Sequence, residues 1–169
     1  MYQLIVLFFQ IAILRKGPQQ VPASKWLLRL LLPAYVVINA LLLWLNDYGY
    51  EAFLQIAIDF ALMAGFTWPL LYFAGKLPRF QQTLGALLGT DIIISFFSLP
   101  VAVSLNGQVT EFAFIGMLLL MLWHWLVCGH IFRHALDRPL FFGLALAFLY
   151  ILISSQVMSL IFPVVSTPS

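Results

Sequence analysis

The most constraining feature of this sequence is a series of five apolar stretches of about twenty residues each, joined by short polar segments. A helix needs about 20 apolar residues, each rising about 1.5 Å, to cross the core of a bilayer. Only 8% of the 169 residues are charged, against about a quarter in a soluble domain. The sequence therefore predicts an all-α membrane protein with a single domain over residues 1–169. The predicted spans, within 26–163, are Trp26–Leu45, Ala52–Phe73, Leu84–Leu105, Phe112–Phe132 and Leu140–Pro163.

The first fourteen residues are apolar but too short to cross the bilayer, because a helix of this length rises only about 21 Å. Gln3 and Gln10 are seven residues apart and share one face of such a helix. We predict that 1–14 is an interfacial helix in the headgroup plane, with a re-entrant or tilted spanning helix as the alternative. Residues 15–25 then form a cytoplasmic connector, in which Ser24 is a candidate cap for the first span.

The charged residues predict the orientation of the spans. All eight basic residues fall on one side of the predicted topology, whereas the opposite loops carry Asp47, Glu51 and Glu111 and no Lys or Arg. Lys and Arg are enriched in cytoplasmic loops. We therefore expect a cytoplasmic N-terminus and a C-terminus in a bacterial periplasm, or in the lumen of an organelle. The basic residues are Arg15, Lys16, Lys25, Arg29, Lys76, Arg79, Arg133 and Arg138.

Polar side chains within the spans are the candidate functional residues, because an ionisable group at membrane depth is costly and normally faces protein or water. Counting from the span ends predicts two layers. Asp91 and His124 fall in the cytoplasmic half, with Thr90 and Ser95 as possible local partners of Asp91. The outer half receives Asp59, Asn39, Ser154, Ser155 and Gln156. Hydrogen bonds within each layer are a purely structural interpretation, and proton or ion handling by Asp91 and His124 is the functional alternative.

Small residues four positions apart allow helices to approach closely. Three such pairs occur in the predicted spans, and they favour close contacts within the bundle or with another membrane protein. The pairs are Ala61 with Gly65, Gly85 with Gly89, and Gly143 with Ala147.

Enzymatic and cofactor patterns fit this sequence poorly. An intramembrane aspartyl protease carries a Gly-x-Gly-Asp signature, whereas Asp91 follows Gly89-Thr90, and depth counting separates it from Asp59 by about 10 Å. His130 and His134 have a possible metal-ligand spacing, but Asp137 is the sole obvious third ligand nearby. The histidines within the predicted spans all lie on the fourth, so they do not face one another from different spans as haem ligands would. We predict no catalytic residue, no cofactor and no nucleic-acid partner.

Two segments prompt a family comparison: Gly85 to Asp91, and Trp123-x-x-x-x-Cys128-Gly-His-x-x-Arg-His-Ala-Leu136. With the five-span layout and the cytoplasmic N-terminus, the chain resembles the Yip (Ypt-interacting protein) family and its bacterial relatives. The resemblance implies a role in membrane-protein complexes, trafficking or assembly, and it supplies no catalytic residue. The chain departs from the eukaryotic members because it lacks their long soluble N-terminal region, and with it any case for binding a small GTPase.

The sequence leaves three functions open. The first is a non-enzymatic subunit or assembly factor of a bacterial inner-membrane complex, acting through helix contacts, with lipid and other membrane proteins or further copies of itself as partners. The second is a small proton- or ion-coupled transporter or channel that uses Asp91 and His124. The third is a membrane enzyme that uses Asp59 or Asp91.

Overall fold

The computed structural model describes residues 2–45, 51–105 and 111–162, in which six helices and no strand occur. Helices α2 to α6 are long and apolar enough to cross a membrane. This confirms the predicted all-α chain with five long apolar helices. The bounds are α1 Tyr2–Ala12, α2 Lys25–Leu45, α3 Glu51–Phe73, α4 Phe80–Leu105, α5 Glu111–Leu136 and α6 Leu140–Ile161. Asp47 and Pro163, which the sequence analysis assigned to a loop and to the last span, lie outside the described residues.

Helix α4 is the centre of the bundle and packs against α1, α2, α3 and α5. Residues 83–90 are all buried, as expected for a helix that is apolar on every face. A Cβ on Gly85 would lie 3.4 Å from a side-chain carbon of Val21 and 3.7 Å from one of Leu28, which is ordinary van der Waals contact. The position on α4 that requires a small residue is Gly89, where a Cβ would lie 2.3 Å from Phe8.

The predicted packing faces are used in two different ways. Helices α5 and α6 meet so closely that a Cβ on Gly143 would lie 2.2 Å from the carbonyl oxygen of Gly129, and Ala147 on the same face is fully buried. On α3, by contrast, Ala61 and Gly65 are exposed, and no atom lies within 4 Å of a Cβ on Gly65. The α4 and α6 pairs therefore pack inside the bundle, and the α3 pair does not.

Helix α1 packs against α4 and α5. Its Phe8 ring lies against Gly89, and Trp123 Nε1 donates a hydrogen bond of 2.8 Å to the carbonyl oxygen of Ala12. These contacts lie about 13 Å along α4 and about 20 Å along α5 from the ends nearest the basic loops. The interfacial position of α1 stays a prediction, but contacts at this depth favour the re-entrant alternative.

The segment after α1 reverses direction and returns toward the basic loops. Leu14 has a left-handed backbone (φ 63°), and the Arg15 N–H donates to the carbonyl oxygen of Gln10 at 2.8 Å, which closes the helix in the manner of a Schellman motif. Farther along, the Trp26 N–H donates to Ser24 Oγ at 3.2 Å. This bond confirms Ser24 as the cap of α2.

The two ends of the bundle differ in charge. At one end, which we call the acidic end, α3 begins with Glu51 and α5 begins with Glu111. The opposite, basic end holds an ion-pair cluster in which Lys76 and Arg79 both contact Asp137. Lys76 Nζ also donates to the carbonyl oxygen of Leu136 at 2.7 Å, so the cluster neutralises the C-terminal end of α5.

Candidate functional site

All five long helices place polar side chains in one buried region near the middle of the bundle. We call this region the buried polar cluster. Its members lie about 12 to 22 Å along their helices from the basic end, so they occupy one layer. They are Tyr35 and Asn39 on α2, Asp59 on α3, Asp91 and Ser95 on α4, His124 and Cys128 on α5, and Tyr150 on α6.

The Asp91 carboxyl group accepts hydrogen bonds from two directions. Asn39 Nδ2 donates to Asp91 Oδ2 at 3.3 Å, and it also donates to the backbone oxygen of Tyr35 at 3.0 Å. The Ser95 hydroxyl lies 3.4 Å from both Asp91 Oδ2 and Asn39 Oδ1. Since a hydroxyl has one proton to donate, Ser95 can serve the carboxyl or the amide but not both at once. The Ser95 hydroxyl can therefore change its hydrogen-bond acceptor when the protonation state of Asp91 changes.

The Asp59 carboxyl group is bound by a tyrosine. Tyr35 donates its phenolic proton to Asp59 Oδ2 at 2.6 Å, a length typical of an O–H bond to a charged acceptor. The Tyr35 side chain is buried. Tyr35 and Asn39 are one turn apart on α2, so a single helix holds both carboxyl groups.

A histidine completes the cluster. His124 interacts electrostatically with both Asp91 and Asp59. Cys128 lies one turn further along the same face of α5, with its thiol beside the imidazole. Tyr150 of α6 lies within electrostatic range of both carboxyl groups. Two acids and one base therefore share a buried region that contains no Lys or Arg among its members.

The two layers expected from the sequence are one layer in the structure, because Asn39, assigned to the outer layer with Asp59, binds Asp91 instead. Helix α4 begins at Phe80, four residues before the predicted start at Leu84. This places Asp91 about 6 Å farther from the basic end of α4 than expected. Ser95 is confirmed as a local partner of Asp91, whereas Thr90 Oγ1 donates to the backbone oxygen of Ala86 at 2.8 Å.

Ser155 does not join the cluster. Its side chain is exposed, and its hydroxyl donates to the backbone oxygen of Leu152 at 2.9 Å. Sequence reasoning also missed three members, Tyr35, Cys128 and Tyr150. A usable signal existed for the first two, because Tyr35 precedes Asn39 by four residues and Cys128 follows His124 by four, which puts each pair on one helical face.

His130 and His134, at the basic end, both contact the connector between α1 and α2. His130 Nε2 lies 3.0 Å from the backbone oxygen of Lys16, and Gln19 Nε2 donates to the backbone oxygen of His134 at 2.6 Å. The two imidazole rings are 4.5 Å apart between centroids. Within the described ranges no group of three or more His, Cys, Asp or Glu side chains is placed to hold a metal ion.

The chain matches no known protein family, no curated protein and no solved structure. The resemblance to the Yip family therefore stays a prediction from the layout of the sequence.

Proposed function

We propose that this chain is an integral membrane protein that handles protons through the buried polar cluster, as a small proton-coupled transporter. One observation carries the proposal. Asp59 and Asp91 lie inside a bundle of five long apolar helices, each hydrogen-bonded to α2 and each within electrostatic range of His124. Ionisable groups at this depth mark proton and ion pathways in membrane proteins. The distribution of Lys and Arg supports a bacterial inner membrane and a cytoplasmic N-terminus as part of the same proposal.

The chemistry of the cluster suits proton transfer. The Asp91–His124 pair carries no net charge in either of two states, one with Asp91 protonated and His124 neutral, the other with Asp91 ionised and His124 protonated. These two states hold the same number of protons and the same net charge. A proton can therefore move between Asp91 and His124 without bringing an uncompensated charge into the membrane, which would be costly. Ser95 can redirect its hydroxyl as Asp91 changes state, because both of its acceptors lie at 3.4 Å.

A purely structural role does not require titratable groups. Polar contacts between membrane helices contribute about 1 kcal/mol or less per pair, and amide side chains such as Asn39 make them without the cost of a buried acid. The cluster nevertheless contains two carboxyl groups and an imidazole. The choice of acids where amides would suffice supports a role in proton binding.

The decisive experiment measures protonation of the carboxyl groups directly. The purified protein in lipid nanodiscs is titrated with pH while the infrared absorption of protonated carboxyl groups is recorded. We expect a pH-dependent carboxyl signal in the wild type, its partial loss in Asp91→Asn, and an altered titration in His124→Gln. Ser155→Ala, a change on the exposed face of α6, is the matched control and should titrate like the wild type.

Two results would refute the proposal. One is a wild-type carboxyl titration that does not differ from that of an Asp59→Asn, Asp91→Asn double variant, in which only the carboxyl groups outside the cluster remain. The other is an identical titration in the wild type and Asp91→Asn. If the titration is as expected, reconstitution into vesicles with an imposed pH gradient tests whether the bound proton crosses the membrane.

A second candidate function is that of a non-enzymatic subunit acting through helix contacts. The exposed Ala61 and Gly65 of α3 favour it, because nothing lies within 4 Å of a Cβ on Gly65. Trp68 and Tyr72 continue this face, stacked at 5.3 Å between ring centroids. Such a face suits close approach of another membrane helix, from a second copy of the chain or from another membrane protein.

The test of this second function is a pull-down of the tagged chain from its native membrane in mild detergent. Ala61→Leu should release a partner that the wild type retains. Ala145→Leu, an equal enlargement at an exposed position of α6, should retain it. Retention of the same partner by both variants would exclude this face as the contact surface.

A further inference from the structure

The surroundings of the buried polar cluster are asymmetric along the membrane normal. Helix α3 begins at the acidic end and α6 ends there. One helical turn from the cluster toward the acidic end, α3 carries Gln55, which precedes Asp59 by four residues. In the same direction α6 carries Ser154, which follows Tyr150 by four residues. Helices α3 and α6 contact each other. Gln55 and Ser154 therefore extend the cluster toward the acidic end along two neighbouring helices.

Both residues carry a buried oxygen atom without a protein partner. Gln55 Oε1 and Ser154 Oγ are buried and have no hydrogen-bond partner among the described residues. Ser154 lies close to the Tyr150 side chain but forms no hydrogen bond of normal geometry with it. Buried polar atoms are almost always paired with protein or with ordered water. Two unpaired oxygen atoms on the same side of the cluster therefore indicate water between α3 and α6.

The opposite side of the cluster is closed by aromatic rings. Phe66 lies seven residues beyond Asp59, about 10 Å closer to the basic end. Its ring centroid is 5.7 Å from that of Phe132 and 5.4 Å from that of Tyr150. Val127 and Ile131 of α5 are fully buried nearby. The rings of Phe66 and Phe132 and these two aliphatic side chains are apolar, and we infer that this packing hinders water on the basic side of the cluster.

We propose that water reaches the buried polar cluster from the acidic end, along Gln55 and Ser154, and that the aromatic layer of Phe66, Phe132 and Tyr150 closes the cluster toward the basic end. On this proposal, water reaches the cluster from one side only. The inference deepens the proposed function, on which its functional meaning rests: in this state Asp59 and Asp91 exchange protons with the compartment at the acidic end.

Thiol labelling tests the pathway. Cys128→Ser removes the single cysteine of the chain, and Gln55→Cys or Ser154→Cys then introduces one thiol on the proposed path. A thiol reacts as the thiolate and therefore needs water. A charged, membrane-impermeant methanethiosulfonate reagent is applied to sealed vesicles from each side separately. Leu54→Cys and Ser155→Cys are the matched controls, since both positions are adjacent in sequence and exposed on the outer surface of the bundle.

We expect the thiols introduced at 55 and 154 to react at least tenfold faster than those at 54 and 155, and only when the reagent is applied at the acidic end. Equal rates within each pair, or faster reaction from the basic end, would overturn the pathway. Ser154→Cys replaces only the side-chain oxygen by sulfur. If the Gln55→Cys protein does not accumulate in the membrane, the comparison of Ser154→Cys with Ser155→Cys is sufficient to test the pathway.

The labelling result and the infrared titration can fail independently. Fast labelling together with an unchanged titration in Asp91→Asn would refute proton handling and leave the water pathway in place. Slow labelling together with a pH-dependent carboxyl signal would refute the pathway and leave proton binding in place.

Discussion

The phenyl ring of Phe8 lies directly against the backbone of Gly89. A Cβ built on Gly89 would be 2.3 Å from Phe8 Cδ1 and 2.4 Å from Phe8 Cε1, closer than packed atoms approach. Phe8 is buried by this contact. The absence of a side chain at Gly89 is therefore what allows α1 to dock on α4.

Gly89→Ala should weaken this docking. The added methyl group must displace a buried ring, and overpacking of this kind costs about 1 to 3 kcal/mol. Unfolding in detergent measures the loss of stability, and faster proteolysis of residues 2–20 should show that α1 is released. The control is Gly65→Ala, where the added methyl group meets no atom within 4 Å and where alanine improves helix propensity by about 1 kcal/mol. Equal stability of the two variants would contradict the role of the Phe8 contact.

Gly143→Ala should be more destabilising than Gly89→Ala. Its Cβ would lie 2.2 Å from the Gly129 carbonyl oxygen and 2.9 Å from the Arg133 backbone nitrogen, and backbone atoms cannot move aside as a side chain can. Helices α5 and α6 must separate to accept it. Unfolding measurements should rank the three variants with Gly143→Ala least stable and Gly65→Ala most stable. A Gly143→Ala protein as stable as Gly65→Ala would show that the two helices are not packed this closely.

Tyr35→Phe should destabilise the bundle through Asp59. The change removes the hydroxyl that donates to Asp59 Oδ2, and a buried acceptor that loses its donor costs about 1 to 3 kcal/mol. Tyr72→Phe, at an exposed position, should have little effect. In an Asp59→Leu background, Tyr35→Phe should cost less than in the wild type. Additive costs in this double-mutant cycle would mean that the two side chains are not coupled.

The ion-pair cluster at the basic end should make stability depend on pH. Hydrogen bonds from Lys76 and Arg79 lower the pKa of Asp137 from 3.8 to about 2. Because the pKa is lower in the folded state, the ionised carboxylate stabilises the fold fully above about pH 4, and this contribution is lost as the pH falls toward about 2. The exposure of Asp137 keeps the effect small.

Asp137→Asn isolates the charge in this prediction. Asparagine tolerates the left-handed backbone of residue 137 (φ 52°), so the variant removes the carboxylate without straining the turn. The difference in melting temperature between wild type and variant should be constant above about pH 4 and should shrink as the pH is lowered. A difference that does not change with pH would show that the ion pairs contribute nothing.

The sequence was sufficient to predict the number and approximate extent of the long helices, because the hydrophobic requirement of a membrane span is a strong local signal. It was not sufficient to predict which polar side chains meet. Helix α4 begins at Phe80, four residues before the apolar stretch that marked its predicted start, and this shift moved Asp91 toward the level of Asn39. Gly89 and Gly143 were predicted to lie in close contacts, but the sequence pattern does not identify their partners, which are Phe8 near the N-terminus and the Gly129 backbone on the preceding helix.

The placement of Tyr35 and Asn39 on α2 has a consequence for how the protein is made. Membrane helices are delivered in the order of synthesis, with N-terminal elements first, so α2 is already present when α3 brings in Asp59 and when α4 brings in Asp91. On this order, Tyr35 precedes Asp59 and Asn39 precedes Asp91, so the hydrogen-bond donor of each acid is synthesised before the acid. With this order of synthesis, we expect α2 to offer a hydrogen-bond donor to each of the two helices that follow it, so that neither carboxyl group needs to face lipid alone.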